Sequence, residues 1–265
     1  MKTILKKIIE VKKFEIRKSK SILSLAELKK KVSKEKIVTR DFKSALEKKN
    51  SLTCIGELKI ASPSKGFLNK NLNLVKTAKI YEKEGISAIS VLTDSHFKGK
   101  LGDLQLVKNE VTIPVLRKDF IIEDYQVYES LYNGADALLL IAAVLSKKSL
   151  ARLLDLTHKL KMNAIIEIHD LYDLKKIDFR SARIIGINNR NLNDFSLDLE
   201  NTKKLCGKIP DKMTKISESG INSRADMLYL QKLKIDSVLI GEGLVSASNI
   251  PLKIRELLGK RNAKS

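Results

Sequence analysis

The segment Ile113-Pro-Val-Leu-Arg-Lys118-Asp-Phe120 joins a short apolar run to three consecutive charged residues. The apolar run predicts a short buried strand over Val115–Leu116, and a helical pattern begins soon afterwards, near Asp124. Burial disfavours the charged form of an amine and lowers its pKa, which would make Lys118 a usable proton donor at neutral pH. An ion pair between Lys118 and a carboxylate at the rim of a sheet explains the segment equally well.

The same unit, an apolar strand followed by a helix, occurs eight times along the chain. The predicted strands are Thr53–Leu58, Ala88–Leu92, Val115–Leu116, Ala137–Ile141, Ala164–Ile168, Ile184–Asn188, Thr214–Ser217 and Ser237–Ile240. The predicted helices are Leu72–Glu84, Leu104–Asn109, Asp124–Asn133, Lys147–Leu160, Leu171–Lys176, Leu199–Leu205, Ser223–Leu233 and Ile250–Leu258. Strands that are apolar throughout indicate a parallel sheet covered on both faces, and eight such units in 265 residues predict a (β/α)8 barrel. A doubly wound open sheet, the alternative, would be long at eight strands and lacks the Gly-x-Gly-x-x-Gly turn of dinucleotide folds.

Residues 1–49 form an N-terminal extension with a helical pattern that begins near Ile4. Its apolar residues recur every three to four positions, as in the stripe of Leu25, Leu28 and Val32. We expect residues 1–265 to form a single barrel domain that includes this extension. The N-terminus is charged and periodic, unlike a signal peptide, and no apolar run approaches the ~20 residues of a membrane-spanning helix.

The composition is that of a globular protein, with 43% hydrophobic and 31% charged residues. Cys54 and Cys206 indicate no disulfide framework, so a reducing cytoplasm is the expected compartment. The net charge of +20 could indicate a nucleic-acid binder, but the lysines are spread over predicted solvent faces of helices, as at Lys12 and Lys13. Aromatic residues make up only 5% of the chain and tryptophan is absent, so we expect no nucleic-acid partner.

Polar residues at the ends of the predicted strands are the candidates for chemistry, because the active site of such barrels lies there. Glu57 and Lys59 are two residues apart, so they face the same side and can form an ion pair in the barrel mouth. Glu167, flanked by two isoleucines, also points inward from its strand. A simple buried ion pair would explain Glu167 alone, but two carboxylates and two lysines at strand ends favour acid–base chemistry.

Three further strand ends carry turn residues. Asn188-Asn189-Arg190 contains residues that often cap turns, and Ser219-Gly220 and Gly241-Glu242-Gly243 fit ordinary tight turns. In these barrels, however, the last two loops commonly bind phosphate through backbone amides and a helix N-terminus, and glycine allows close approach. We therefore predict a phosphate site at these loops.

The histidines His96, His158 and His169 show no spacing typical of metal ligands. His169, close to Glu167, is expected to be exposed to solvent. No Ser/His/Asp or Cys/His set stands out either. The remaining interpretation is an acid–base site with no metal and no cofactor.

Six segments resemble, in the same order, segments of the indole-3-glycerol phosphate synthase family. They are Glu57-Leu-Lys59-Ile-Ala-Ser62-Pro63-Ser64-Lys65-Gly66, Ser90-Val-Leu-Thr-Asp94, Pro114-Val-Leu-Arg-Lys118-Asp-Phe120, Ile185-Gly-Ile-Asn188-Asn-Arg190, Ser217-Glu-Ser219-Gly220-Ile221 and Leu239-Ile-Gly241-Glu242. The N-terminal extension is similar to that of the family as well. The resemblance implies ring closure of 1-(2-carboxyphenylamino)-1-deoxyribulose 5-phosphate to indole-3-glycerol phosphate, with loss of carbon dioxide and water, in tryptophan biosynthesis.

The resemblance also implies a role for each site residue. Lys118 is the expected general acid, Glu167 the group that takes and returns protons, and Lys59 the lysine of a mobile first loop that assists dehydration. Glu57 is expected to orient a lysine, Asn188 to bond the reacting polar groups, and Arg190 to hold these residues in place. The expected phosphate-binding residues are Ser62, Ser219, Gly220, Gly241 and Glu242. The expected apolar wall against the anthranilate ring consists of Phe97, Phe120 and Leu139.

The chain departs from the family pattern at Ile60, where a basic residue is usual, and at Gly243, where serine is common. It ends soon after its eighth predicted helix, so we expect one activity only. A monomer is expected, with no more than transient contacts to neighbouring pathway enzymes. A Schiff-base aldolase remains an alternative, because a strand-end lysine in a phosphate-binding barrel suits that chemistry too.

Overall fold

A computed structural model describes residues 3–47, 51–62, 66–70, 72–191 and 194–260 of the chain. Its strands, numbered in chain order, are β1 Thr53–Leu58, β2 Ala61–Ser62, β3 Gly66–Phe67, β4 Ala88–Leu92, β5 Val115–Lys118, β6 Ala137–Ile141, β7 Asn163–Ile168, β8 Ile184–Asn188, β9 Thr214–Glu218 and β10 Ser237–Ile240. Apart from the antiparallel β2–β3 hairpin, they pair in parallel and close a barrel in the order β1-β10-β9-β8-β7-β6-β5-β4. Strand β1 closes it by pairing with both β10 and β4. The predicted (β/α)8 barrel is confirmed.

Helices surround the barrel and precede it. They are α1 Thr3–Ile22, α2 Leu25–Glu35, α3 Phe42–Leu46, α4 Leu74–Glu84, α5 Gly102–Lys108, α6 Asp124–Tyr132, α7 Lys147–Lys159, α8 Leu171–Leu174, α9 Glu200–Cys206, α10 Arg224–Lys232, α11 Glu242–Val245 and α12 Ile250–Leu258. Local signals set many of their ends: Ser24 and Glu27 form a reciprocal capping box at the start of α2. Gly85, with a φ of 92°, ends α4 in the left-handed conformation. None of the described helices combines the length and the apolar character needed to cross a bilayer.

Two apolar layers flank the strands. Inside the barrel, one layer consists of Ile55, Ala88, Leu116, Ala137, Leu139, Ile165, Ile184, Ile216 and Leu239. A larger core lies between the strands and the helices, with Leu140 of β6 and Leu153 of α7 among its members. Both faces of the sheet are therefore buried, which explains why the strands carry near-continuous apolar runs.

The N-terminal extension reaches both ends of the barrel. Helix α3 covers the amino-terminal end, where Phe42 and Leu46 are fully buried against the inner layer. Thr53 Oγ1, at the start of β1, donates a hydrogen bond to the Leu46 carbonyl there. Helix α1 lies at the opposite end, and the prediction of an exposed Lys12 is wrong: this side chain is only 5% exposed because three carboxylates surround its ammonium.

Predicted and observed boundaries of the barrel elements differ by at most two residues. Three short elements were not predicted, namely the β2–β3 hairpin, the 3-10 turn Ser95–Phe97 and α11. Each spans too few residues to show a helical or strand period. All three lie in loops that follow barrel strands, where the local path depends on packing.

Candidate active site

A cavity of about 380 Å³ lies at the carboxyl ends of the barrel strands. Its lining includes the predicted site residues Glu57, Lys59, Phe97, Lys118, Phe120, Leu139, Glu167, Asn188, Arg190, Ser219, Gly220, Gly241 and Glu242. The backbone of Ser62 lies in β2, and its side chain is outside the described part of the structure, as are Pro63, Ser64 and Lys65. The structure thus brings the other predicted residues to a single cavity.

The polar lining forms a layer directly above the inner apolar layer of the barrel. Side chains two residues apart on a strand point to the same face, so the residue two positions after each inner apolar residue also points inward. This relation joins Ile55 to Glu57, Leu116 to Lys118, Ile165 to Glu167, Ile184 to Gly186, Ile216 to Glu218 and Leu239 to Gly241. Alternation on different strands therefore assembles the charged cluster.

The two predicted lysines and the two predicted carboxylates converge at this layer. Lys118 Nζ lies 3.7 Å from Glu167 Oε2 and 4.0 Å from Glu57 Oε2. Lys59 Nζ lies 3.1 Å from Glu57 Oε1, which is the ion pair expected from their spacing. Glu57 therefore bridges the ammonium groups of the two lysines.

The pKa of Lys118 differs from the sequence expectation. Burial by itself lowers this pKa, but the carboxylates of Glu167 and Glu57 outweigh burial and raise it above its ordinary value. The prediction of a lowered pKa is therefore wrong, because it counted the apolar strand and not the carboxylates on neighbouring strands. In this site Lys118 is an ammonium at neutral pH.

The carboxylates respond to the same cluster in opposite ways. Burial raises the pKa of Glu57, but the ammonium groups of Lys59 and Lys118 lower it by more than burial raises it. The net shift is therefore downward. The pKa of Glu218 is raised well above its ordinary value, first by burial and then by the nearby Glu167 carboxylate. Glu57 is thus held ionised, whereas Glu218 is driven towards its protonated form.

Glu218 was missed as a site residue, although the β9 segment containing it was recognised. Neither of its carboxyl oxygens has a hydrogen-bond donor among the described residues. A proton on Glu218 allows the group to donate to the Glu167 carboxylate, which removes the repulsion between them. The signal that could have found it is its position two residues after Ile216, the same spacing that identifies Glu167.

Glycine provides the space for two of these carboxyl groups. A Cβ atom on Gly186 of β8 would collide with the carboxyl group of Glu218. A Cβ atom on Gly241, just after β10, would likewise collide with the carboxyl group of Glu57. Glycine at these two positions, one in β8 and one just after β10, leaves the space that the neighbouring carboxyl groups occupy.

His169 lies beside the cluster with its side chain largely shielded from solvent. Its side chain is 9% exposed, so the prediction of solvent exposure is wrong. Its Nε2 lies 3.4 Å from Glu167 Oε1, and its Nδ1 lies 3.6 Å from Asp173 Oδ2. The short helix α8 folds back over the end of β7 and carries Asp173, which buries the ring.

The loop after β9 has an unusual backbone. Ser219 and Gly220 both have positive φ angles, of 71° and 79°, a conformation that serine adopts only when its surroundings hold it there. Asn189 supplies that support, since its Nδ2 donates to Ser217 Oγ and to the carbonyls of Glu218 and Ser219. The sequence pattern gave no site role to Asn189, which lies between two predicted site residues.

The apolar wall of the cavity is larger than predicted. Phe97, Phe120 and Leu139 are joined by Leu5 and Ile8 of α1. The spacing of these two residues marks one face of a helix, but the sequence did not indicate which part of the barrel that face would meet. The N-terminal extension therefore contributes directly to the cavity.

Comparison with known proteins gives the family. A model of the family described as indole-3-glycerol phosphate synthase matches residues 5–257. The indole-3-glycerol phosphate synthase of Acetivibrio thermocellus is 42% identical over 255 residues, covering 96% of this chain and 98% of that protein. The protein of the same name from Alkaliphilus metalliredigens is 43% identical over 257 residues, covering 96% and 97%.

A similarity among solved structures concerns the fold alone. The 3-hexulose-6-phosphate synthase of Salmonella typhimurium superposes with a TM-score of 0.62 at 11% identity, covering 78% of this chain and 97% of that one. The family match, by contrast, spans the extension as well as the barrel. The chain belongs to the indole-3-glycerol phosphate synthase family.

Proposed function

We propose that Lys118, Glu167 and Lys59 carry the acid–base steps of the indole-3-glycerol phosphate synthase reaction in this chain. The reaction closes the ring of 1-(2-carboxyphenylamino)-1-deoxyribulose 5-phosphate and releases carbon dioxide and water. Its product is indole-3-glycerol phosphate, an intermediate of tryptophan biosynthesis. The observation that carries the proposal is the position of the Lys118 ammonium between Glu167 and Glu57 in the cavity.

Ring closure is the step that needs an acid. The arene carbon that bears the carboxylate attacks the ribulose carbonyl carbon, and negative charge builds up on the carbonyl oxygen. The Lys118 ammonium donates a proton to that oxygen and leaves a hydroxyl group on the new ring. Loss of the carboxylate as carbon dioxide then restores the aromatic ring without any further proton donor.

Dehydration is the step that needs both an acid and a base. The hydroxyl group leaves as water after it receives a proton, and a proton must be removed from the substrate to form the indole double bond. Lys59 supplies the first proton and Glu167 accepts the second. Glu57 pairs with Lys59 at 3.1 Å and keeps its ammonium directed into the cavity, while Asn188 and Arg190 bond the polar groups of the substrate.

The two ends of the substrate fit the two sides of the cavity. The phosphate is assigned to the backbone amides around Ser219, Gly220, Gly241 and Glu242, together with Ser62. The left-handed turn at Ser219 and Gly220 supports this assignment, because successive amides in such turns form anion-binding concavities. The anthranilate ring is assigned to Phe97, Phe120 and Leu139, extended by Leu5 and Ile8 of α1.

A Schiff-base aldolase is less well supported. That mechanism needs a neutral amine as the nucleophile, and the carboxylates around Lys118 raise its pKa instead of lowering it. Borohydride in the presence of a carbonyl substrate would trap an adduct on Lys118 in an aldolase. We expect no adduct.

The assignments are tested by adding the anilino-deoxyribulose phosphate to the purified protein and following indole fluorescence. The wild-type protein should form the indole product. Lys118→Ala and Glu167→Gln should each lower kcat by on the order of 10²–10⁴-fold, because each removes a positioned acid or base. Lys148→Ala, which changes an exposed lysine on α7, is the matched control and should keep full activity. Near-full activity in either cavity variant would refute the role given to that residue.

The remaining expectations are proposals as well. We infer that residues 1–265 form a single domain that acts as a monomer in the cytoplasm, on a small sugar phosphate and not on nucleic acid. The burial of both cysteines as free thiols supports the cytoplasmic compartment, and the dispersal of the lysines along the whole chain supports the absence of a nucleic-acid partner. Gel filtration of the active protein tests the monomer.

A further inference from the structure

Helix α1 carries a buried lysine that the mechanism above does not use. Lys12 Nζ lies 2.8 Å from Asp94 Oδ2, 2.8 Å from Asp119 Oδ1 and 2.7 Å from Glu15 Oε2. Asp94 and Asp119 are themselves almost fully buried. Three carboxylate oxygens thus lie within ion-pairing distance of one buried ammonium.

The two aspartates belong to the two strand ends that supply the aromatic wall and the proposed acid. Asp94 follows β4 and accepts a hydrogen bond from the His96 amide at 2.9 Å, which begins the turn that carries Phe97. Asp119 is the residue after Lys118, and its Oδ1 accepts from the Phe120 amide at 2.8 Å. One ammonium thus joins the backbone beside Phe97 to the backbone beside Lys118.

Asp119 is a fixed anion at neutral pH. Burial raises its pKa, but the Arg117 guanidinium and the Lys12 ammonium lower it to about 2. Its other oxygen accepts from Arg117 Nη2 at 2.9 Å and from Thr93 Oγ1 at 2.6 Å. Arg117 in turn reaches Glu129 of α6 at 2.9 Å. The segment after β5 is therefore held from several sides, and α1 contacts it through Lys12 at Asp119 and through Lys20 at Glu123.

Lys12 lies on the face of α1 that contacts the cavity. Leu5 and Ile8 precede it by seven and four residues, a spacing that places all three side chains on one side of a helix. Leu5 and Ile8 line the cavity, while Lys12 enters the cluster of Asp94 and Asp119. The ion pairs therefore fix the position of the helix face that completes the apolar wall.

We infer that Lys12 is a positioning residue for the reaction, which acts by joining α1 to the strand ends that carry Phe97, Lys118 and Phe120. The inference rests on the proposed roles of Lys118 and the apolar wall. It goes beyond them because Lys12 does not line the cavity. A misplacement of catalytic groups by about 1 Å can cost on the order of 10²-fold in rate, so a contact of this kind affects turnover without touching the substrate.

The test compares Lys12→Met with Lys13→Met. The two lysines are neighbours on α1 and receive the same substitution, but Lys13 is 47% exposed and, within the described part of the chain, its ion pair is with Glu10 at the surface. For Lys12→Met we expect kcat to fall on the order of 10²-fold and KM to rise, because Lys118 and the apolar wall both shift. Lys13→Met should leave both constants unchanged. Assays are run far below the melting temperature of each variant, with circular dichroism as the check of folding.

Two more variants separate positioning from bulk stability. Lys12→Arg keeps the buried positive charge, so its kcat should lie closer to that of the wild type than the kcat of Lys12→Met. Lys12→Ala leaves room for a small amine, and ethylammonium should restore kcat in a saturable way that sodium chloride at the same ionic strength does not reproduce. If Lys12→Met fails to fold, Lys12→Ala folded in saturating ethylammonium gives the answer, because kcat should fall as the amine is lowered while circular dichroism shows an unchanged fold.

The outcomes distinguish this inference from the proposed function. A folded Lys12→Met with wild-type kcat and KM overturns the positioning role, as does a Lys12→Ala whose kcat does not respond to the amine. The role of Lys118 is judged separately by Lys118→Ala. If Lys118→Ala is inactive while Lys12→Met is fully active, only the inference about Lys12 fails. If Lys118→Ala is fully active, the proposed function of Lys118 fails whatever Lys12 does.

Discussion

At the scale of single residues, Lys118 and its carboxylate neighbours show why the pKa of a side chain cannot be predicted from the sequence of its own strand. Lys118 lies at the end of a short apolar strand, which alone suggests a lowered pKa. The neighbours that decide the matter are Glu167 of β7 and Glu57 of β1, which are distant in sequence and close only in the closed barrel. The direction of the shift therefore depends on tertiary structure.

Glu218 gives a prediction that links charge to stability. Folding raises its pKa above the ordinary 4.5, so the folded protein binds this proton more tightly than the unfolded chain does. At low pH the protonated Glu218 therefore costs the folded state nothing. As the pH rises from about 4.5 through the folded-state pKa, this group increasingly lowers the free energy of unfolding. Glutamine carries no charge, so Glu218→Gln should be more stable than the wild type at neutral pH, and the difference should shrink in acid. Denaturant midpoints across this pH range measure it, and a difference independent of pH would contradict the assignment.

Ser219 gives a prediction about binding. If the Ser219 hydroxyl binds the phosphate together with the amides of the turn, Ser219→Ala should mainly raise KM and leave kcat nearly unchanged, because the phosphate is remote from the reacting carbons. Inhibition by inorganic phosphate should weaken in parallel. Steady-state kinetics check both quantities, and a loss confined to kcat would place Ser219 in the chemistry instead.

At the scale of elements, helix α3 separates stability from catalysis. Phe42 is fully buried at the amino-terminal end of the barrel, opposite the cavity. Phe42→Ala should lower the free energy of unfolding by about 3–5 kcal/mol, the usual cost of such a cavity, with kcat and KM preserved below the melting temperature. Val38→Ala is the matched control, since Val38 is 84% exposed and should change stability by less than about 0.5 kcal/mol. Denaturant unfolding measures both, and a loss of activity in folded Phe42→Ala would show that the two ends are coupled.

The long elements were predictable and the short ones were not. The apolar runs of β1, β6, β8 and β10 give their full extent, because these strands are buried on both faces. Helix α11 has four residues and the β2–β3 hairpin pairs two residues with two, so neither has a period that a sequence can show. The orientation of α1 also escaped prediction, since Lys12 looks like a solvent-facing residue until Asp94 and Asp119 are brought to it by the fold.

At the scale of the whole molecule, the net charge of +20 favours an anionic substrate. The substrate carries a carboxylate and a phosphate, so the summed field of the protein should speed its encounter with the cavity. We expect kcat/KM to fall as sodium chloride is raised, mostly through KM, because salt screens the attraction over about 10 Å at 0.1 M. Steady-state kinetics at several salt concentrations measure this, with a neutral solute of equal osmolality as the control. A kcat/KM that ignores salt would remove any role for the charge in substrate capture.

The site as a whole was largely predictable because a barrel imposes one rule on every strand. Once the ends of the strands are known, period two selects Glu57, Lys118 and Glu167 together. The rule applied to β9 also selects Glu218, which was overlooked in favour of the turn that follows it. The supporting contacts of Asn189 and His169 were not predictable, since they depend on loops that fold back over the strand ends.

The pH dependence of kcat/KM tests the central claim most directly, because it reports the pKa of the essential acid in the free enzyme. The claim is that the carboxylates around Lys118 keep it an ammonium well above neutral pH. We predict that kcat/KM shows no alkaline loss until beyond the ordinary lysine value of ~10.4. A loss of kcat/KM centred at pH ~7–8 would show a lysine whose pKa is lowered by burial, and it would contradict the account. If the same loss persists in Lys59→Arg, it belongs to Lys118 and not to Lys59.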